Sequence, residues 1–134
     1  MGAKPPLSFF NNFIFSSFNR ISGKIMSNDK TPQAVQRCHE LMVWMIPQLD
    51  KMPRQRRFTL GDKLELILLE VLENLVTAAY SKDKQRLLQQ ANNKLEVARH
   101  LWRMAMELKA VSLKSWTYGA QLMVAFLVAM GVVK

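Results

Sequence analysis

The sequence has few of the residues that disulfide-bonded, turn-rich or metal-binding proteins require. Its one cysteine is Cys38, so no disulfide can form within the chain, and a reducing compartment such as the cytoplasm fits best. Glycine and proline number five each in 134 residues, too few for the many turns of an all-β protein. A glycine-rich phosphate loop and Cys/His metal spacing are also missing from the sequence. These absences favour an all-α protein that needs no cofactor and no metal.

The composition is that of one globular domain. Hydrophobic residues make up 49% and charged residues 22%, which is enough apolar surface to form a core. The nine methionines, together with long stretches of Leu, Ala, Lys, Glu and Gln, favour helix. The formal net charge is +9. That charge suggests an anionic partner such as nucleic acid, although it could also serve only solubility.

Residues 1–25 differ from the rest of the chain. The stretch PPLSFFNNFIFSSFNRISGKI contains five phenylalanines and no acidic residue. It could be a signal peptide, although Asn11 and Asn12 interrupt its apolar run, or an interfacial amphipathic segment. It could also be an ordered arm, or translation upstream of a true start at Met26. We therefore divide the chain into residues 1–30, an N-terminal extension that is either disordered or upstream of the true start, and residues 31–134, the folded domain.

The first predicted helix begins at Thr31 and Pro32, a capping residue followed by a proline at the first helical position. Pro47 lies on the side opposite the apolar stripe, so it should disturb only the outer face, and Pro53 should end the helix. The stripe recurs at helical spacing and consists of Val35, Cys38, Met42, Met45, Leu49 and Met52.

The second predicted helix is apolar over more than half of its circumference. Thr59 is its expected cap, with Asp62 near its positive end. The core stripe consists of Leu64, Ile67, Leu68, Val71, Leu75 and Ala78. A helix this apolar is expected to be buried on two sides, which indicates a subunit interface. The predicted interface residues are Leu66, Leu69, Val76 and Tyr80, together with Phe126 of the last helix.

Two further helices complete the predicted fold. After a polar turn at 80–85, the third helix has a stripe of Leu88, Ala91, Leu95, Ala98, Trp102 and Ala105. A turn at 109–117 precedes a fourth helix from about Trp116 to Met130. Residues 115–133 carry no charge, but polar residues fill the first third of that range, so burial is favoured over a membrane span. Short connections between the helices predict an antiparallel, up-down four-helix bundle.

Catalysis has little support in this sequence. His39 and His100 are isolated, and Cys38 lies on the core stripe, where it resembles a small hydrophobic residue rather than a nucleophile. The acidic residues of the second helix are explained more simply as a solvated face than as an acid/base pair. We therefore predict that the chain is not an enzyme.

The basic residues are more informative. One group crowds the end of the first helix, where guanidinium groups could grip phosphate oxygens. A second group, Arg99 and Arg103, lies one turn apart on the third helix, about the spacing of successive phosphates along a strand. Both could instead be solvated surface, and Glu96 is within helical reach of Arg99. The candidate residues for binding nucleic acid or a protein partner are Lys51, Arg54, Arg56, Arg57, Arg99 and Arg103.

The stretch IPQLDKMPRQRR, with its late proline and Pro-Arg turn, resembles the first-helix end of the accessory variability determinant (Avd) proteins of diversity-generating retroelements. The stretch LEVARHLWRMAMEL is similar to the third helix of that family, in which basic residues one turn apart flank an aromatic residue. Pro47, Pro53 and Arg54 match the first pattern; Arg99, Trp102 and Arg103 match the second. The resemblance covers about residues 31–131 and extends to the four-helix proteins encoded in intervening sequences of ribosomal RNA genes.

The resemblance implies a homopentameric ring of four-helix bundles with a positively charged surface. It also implies two partners, the retroelement's reverse transcriptase and a template RNA, which is copied into cDNA with errors at adenines; the accessory protein itself is not catalytic. The sequence departs from the family near its end, where Phe126 and Ala129 replace an expected Glu and Arg. Two alternatives remain, an intervening-sequence protein of unknown role and a membrane-associated helical protein, although a membrane partner is disfavoured.

Overall fold

The computed structural model describes residues 31–131, so the expectations for residues 1–30 lie outside the described chain. Within residues 31–131 the chain forms helices and turns and no β-strand. The four long helices are α1 (Thr31–Asp50), α2 (Asp62–Ala79), α3 (Lys84–Glu107) and α4 (Leu113–Ala129). A helical turn at Arg54–Arg56 and a π-helical turn at Arg57–Gly61 lead into α2.

The helices pack as a four-helix bundle, as predicted. α1 contacts α2 and α4, and α3 contacts the same two helices. Gln33 near the start of α1 shares a groove with Ala129 at the end of α4, while Trp44 packs on Tyr118 near the start of α4. These contacts show that α1 and α4 are antiparallel, and the short connections make the other neighbouring pairs antiparallel as well.

The predicted apolar stripes form the core. Every stripe residue within α1 and α2 is buried, because residues three and four apart lie on one helix face and that face meets the neighbouring helices. Met52 is buried too, although α1 ends at Asp50, before the predicted stop at Pro53. On α3 the stripe holds from Ala91 to Ala105, but at its start Leu87 is buried and Leu88 is only partly buried. Pro47 is exposed within an unbroken α1, so it lies outward as predicted.

The junction between α1 and α2 differs from the prediction. Thr59 is not the cap of the second helix: it lies inside the π-helical turn, where its hydroxyl donates to the carbonyl of Gln55 at 3.1 Å. The helical path already begins after Pro53, whose carbonyl accepts from the backbone N–H groups of Arg56 and Arg57. The prediction failed because Pro53 sets the extended backbone that precedes a helix without offering a capping side chain.

The last connection is shorter than predicted. α4 begins at Leu113 rather than near Trp116, because Ser112 caps it by accepting from the N–H of Ser115 at 3.1 Å. Lys109 ends α3 with a left-handed φ of 61°. Among residues 31–131, none of the helices combines the length and the apolarity needed to cross a membrane.

Candidate nucleic-acid interface

The antiparallel helices bring two basic connections to one end of the bundle. Residues 51–61 join α1 to α2, and residues 108–112 join α3 to α4. Gln48, near the end of α1, and Lys114, at the start of α4, line one groove, so the two connections are neighbours. We call this region the basic end and define it by five cations: Lys51, Arg54, Arg56, Lys109 and Lys114.

The cations of the basic end are available to a ligand. Lys51 and Arg54 are exposed and Arg56 is half-buried. The guanidinium carbon of Arg54 lies 5.8 Å from the centroid of the Phe58 ring, a cation–π distance, and Phe58 is itself 63% exposed. Throughout residues 31–131, no carboxylate forms an ion pair with any of the five cations. None of the five is therefore engaged in a direct ion pair within the described chain.

Arg57 behaves differently from its neighbours. Its guanidinium reaches Asp50 at 3.1 Å and Glu65 at 3.5 Å, and it also donates to Asp62. Its side chain is only 22% exposed. These carboxylates belong to the end of α1 and the start of α2, so Arg57 ties the two helices together across the junction. Its donors are already occupied, which does not suit the phosphate contact predicted for it.

Arg99 and Arg103 lie together on α3, as predicted, but each is paired on its own helix. Arg99 donates to Glu96 at 2.8 Å and Arg103 to Glu107 at 2.8 Å. They line a groove of about 280 Å³ between α3 and α4, whose floor includes Trp102 and Met123. Because exposed carboxylates accompany both arginines, this face is less positive than the basic end.

Sequence reasoning missed Lys109 and Lys114. Neither lies in a cluster along the chain, yet both reach the basic end because the first and third connections of an up-down bundle occupy the same end. The predicted topology was therefore the signal that could have identified them. Lys109 is notable because a residue other than glycine in the left-handed region costs about 1–2 kcal/mol.

The titratable groups predicted to be inert show no arrangement suited to metal binding. Burial lowers the pKa of His39 from its usual value of 6.5, which favours the neutral imidazole. Burial raises the pKa of Cys38 to about 12, so the thiol stays protonated in the core. In the part of the chain that the structure describes, no group of three His, Cys, Asp or Glu residues could hold a metal ion.

The predicted interface residues divide into two groups. Leu66, Leu69 and Val76, with Tyr80 directly after the last residue of the helix, form the outer face of α2, and each is 38–54% exposed. Phe126 does not belong with them: it is 0% exposed and lies in the core of its own bundle. The prediction for Phe126 was wrong about its position, because α4 is apolar on most of its circumference and sequence pattern alone could not select its inward face.

Searches of curated proteins and of solved structures gave no significant match. A model of the bAvd-like family matches residues 33–126. The matched region contains α1, α2 and α3 in nearly their full length and most of α4. Because the match spans most of the chain, and in agreement with its resemblance to the accessory variability determinant proteins, the chain belongs to the bAvd-like family.

Proposed function

We propose that this chain is a non-catalytic accessory scaffold of a diversity-generating retroelement. In this role it binds the reverse transcriptase together with the template RNA and its cDNA, and so supports adenine-directed mutagenic cDNA synthesis. Membership of the bAvd-like family supports the assignment of the chain to this class of accessory protein. The observation that carries the nucleic-acid role is the basic end.

The basic end has the chemistry of a phosphate-binding surface. Three of its cations, Lys51, Arg54 and Arg56, follow one another within six residues of the α1–α2 connection. Lys109 lies on the neighbouring connection, and Lys114 lies in the first turn of α4. Guanidinium and ammonium groups without carboxylate partners gain most from a phosphate, because no existing ion pair must be broken. A single strand that crosses this end could therefore meet several cations in succession.

A salt titration tests the nucleic-acid role. Each phosphate neutralised on a single strand contributes about 0.7 to the slope of log affinity against log salt concentration. Replacing Lys51, Arg54 and Arg56 by Gln should weaken binding of a single-stranded RNA and reduce that slope by about 2. Affinity should fall equally for RNAs of different sequence, because phosphate contacts carry no base information.

A matched control uses three cations away from the basic end. Replacing Arg37, Lys82 and Arg86 by Gln removes the same formal charge, but Arg37 and Arg86 already pair with Glu40 and Asp83. This control should retain most of the affinity and of the salt slope. Equal losses in both triple variants would mean that binding follows net charge alone, and the basic end would not be a site.

The arginines of α3 supply a second test. Arg99→Ala together with Arg103→Ala should lower the salt slope less than the basic-end variant, because Glu96 and Glu107 already offset their charge. Both side chains are exposed, so the fold should survive the change. Circular dichroism gives the folding control.

The enzyme partner is tested by co-purification with a reverse transcriptase encoded beside this chain. Association is expected, and the Arg99/Arg103 variant should weaken it if that face meets the enzyme. A chain that binds RNA but never associates with such an enzyme would instead fit the intervening-sequence proteins. If the unaltered chain neither binds RNA nor associates with the reverse transcriptase, the scaffold role is excluded.

The outer face of α2 supports self-association. Its four exposed apolar side chains are Leu66, Leu69, Val76 and Tyr80, and an apolar patch of this kind on one helix is characteristic of a protein–protein contact. We extend the proposal to a homo-oligomer, with the pentamer as the expected form. Light scattering should give a particle mass that is a multiple of the chain mass. Leu69→Lys should reduce that particle mass. A monomer at micromolar concentration in the unaltered protein would refute the oligomer.

A further inference from the structure

A second groove opens beside the basic end, between the C-terminal half of α1 and the first turns of α4. Its volume is about 830 Å³. The lining combines two aromatic rings with polar and basic side chains: Trp44, Gln48, Leu113, Lys114, Ser115, Thr117, Tyr118 and Gln121. This mixture differs from the groove beside Arg99 and Arg103, which shares none of these residues.

The two rings of this groove are held unequally. The centroid of Trp44 lies 4.8 Å from that of Tyr118, with 51° between the ring planes. Trp44 also meets Trp102 edge to face at 6.1 Å, and Trp102 is fixed by donating from its indole nitrogen to the carbonyl of Trp116 at 3.0 Å. Trp44 is thus anchored in the bundle, whereas Tyr118 is 47% exposed. The exposed ring of Tyr118 can therefore stack with a planar ligand, while the anchored Trp44 supports it from behind.

The surroundings of the rings suit a nucleobase better than an apolar peptide. Lys114 makes no ion pair within the described chain and can meet a phosphate. Gln48 and Gln121 offer amide donors and acceptors of the kind that pair with base edges. Proteins that bind single strands without sequence preference combine a positively charged surface along the backbone with aromatic side chains on which bases stack. In this chain the groove lies beside the basic end.

From this arrangement we infer that the groove is a base-stacking subsite for single-stranded nucleic acid. A base of a strand held at the basic end stacks on Tyr118, and Lys114 meets the adjoining phosphate. This inference rests on the proposed nucleic-acid role and adds to it a position where the strand is gripped through a base rather than through its backbone.

Two variants of the full-length chain distinguish stacking from phosphate binding. Tyr118→Ala should weaken binding of a 12-nucleotide oligouridylate by roughly 5- to 150-fold, the range found for removing one stacked aromatic. The salt slope should not change, because stacking releases no counterions. Tyr118→Phe retains the ring and should retain the affinity. Inorganic polyphosphate, which has phosphates but no bases, should bind the wild type and Tyr118→Ala equally.

Photo-crosslinking locates the base without altering the protein. An oligouridylate carrying one 5-iodouridine should crosslink to Tyr118 or Trp44 of the wild type, as read by peptide mass spectrometry. This measurement remains decisive if Tyr118→Ala proves poorly folded by circular dichroism.

The outcomes separate the subsite from the proposed function. If the wild type binds RNA with a steep salt slope, but Tyr118→Ala binds equally well or crosslinks map elsewhere, the subsite is wrong and the scaffold role stands. If the wild type binds neither RNA nor polyphosphate, the nucleic-acid role itself fails. If Tyr118→Ala instead changes the oligomer mass without RNA and leaves RNA affinity intact, the groove is a contact between copies and the inference is overturned.

Discussion

Gly119 of α4 lies directly against the indole ring of Trp102 on α3. A Cβ atom at position 119 would fall 2.7 Å from Nε1 of that ring. The indole cannot easily withdraw, because it is 1% exposed and Nε1 donates to the carbonyl of Trp116. The absence of a side chain at one position therefore sets how closely two helices approach, and it supports the aromatic cluster behind the groove at Tyr118.

Gly119→Ala should destabilise the bundle even though alanine is the better helix former. The gain in helix propensity is about 1 kcal/mol, whereas forcing a methyl group against a fixed ring costs about 1–3 kcal/mol. Urea denaturation should show a lower midpoint. Combined with Trp102→Leu, the same substitution should cost less, because the opposing ring is gone. Stabilisation by Gly119→Ala alone would show that the indole can move aside.

Pro47→Ala should leave the free energy of unfolding unchanged or raise it by up to about 3 kcal/mol, the cost of proline inside a helix. Pro47 is exposed, and α1 continues through it, so its ring contributes nothing to the core. Pro53→Ala is the matched control. Pro53 lies before a helical turn rather than within a helix, so its replacement should not give the same gain in the free energy of unfolding. A loss of several degrees in thermal unfolding for Pro47→Ala would mean that packing depends on a bend at this residue.

Lys109→Gly should stabilise the fold while weakening RNA binding. Lys109 has a φ of 61°, which glycine adopts without strain, so a gain of about 1 kcal/mol is expected. The substitution also removes one cation of the basic end. Lys109→Gln separates the two effects, because glutamine removes the charge but keeps a side chain in the left-handed region, so RNA binding should weaken without the gain in stability. Unaltered RNA affinity in both variants would remove Lys109 from the basic end as a functional residue.

Stability should fall at alkaline pH through Cys38. The pKa of the Cys38 thiol is 9.0 in the unfolded chain, whereas burial raises this pKa to about 12 in the folded chain. Between these values the folded state binds more protons than the unfolded state, so the free energy of unfolding decreases as pH rises, by about 1.4 kcal/mol per pH unit. Denaturation at pH 9 and pH 10.5 measures this slope against Cys38→Ala, which lacks the thiol. Equal slopes would indicate that the folded thiol ionises normally.

The sequence was sufficient for the architecture of residues 31–131. Helical spacing of apolar residues identified the buried face of α1 and α2, because residues three and four apart share one side of a helix. It also placed Pro47 outward and assigned Cys38 to the core. The boundaries were less certain where no capping side chain signals them, as at Thr59, or where a short capped turn was hidden in a polar stretch, as at Ser112.

Only the tertiary structure decided which cations remain free. Arg54 and Arg57 are indistinguishable as sequence, yet Arg57 is held by carboxylates five, seven and eight residues away, which only the bend between α1 and α2 brings together. The same antiparallel packing carries Lys109 and Lys114 to the end occupied by Lys51. Helical periodicity is a local property that sequence spacing reveals, whereas the pairing of charges depends on the distance between elements, and that distance exists only in the folded chain.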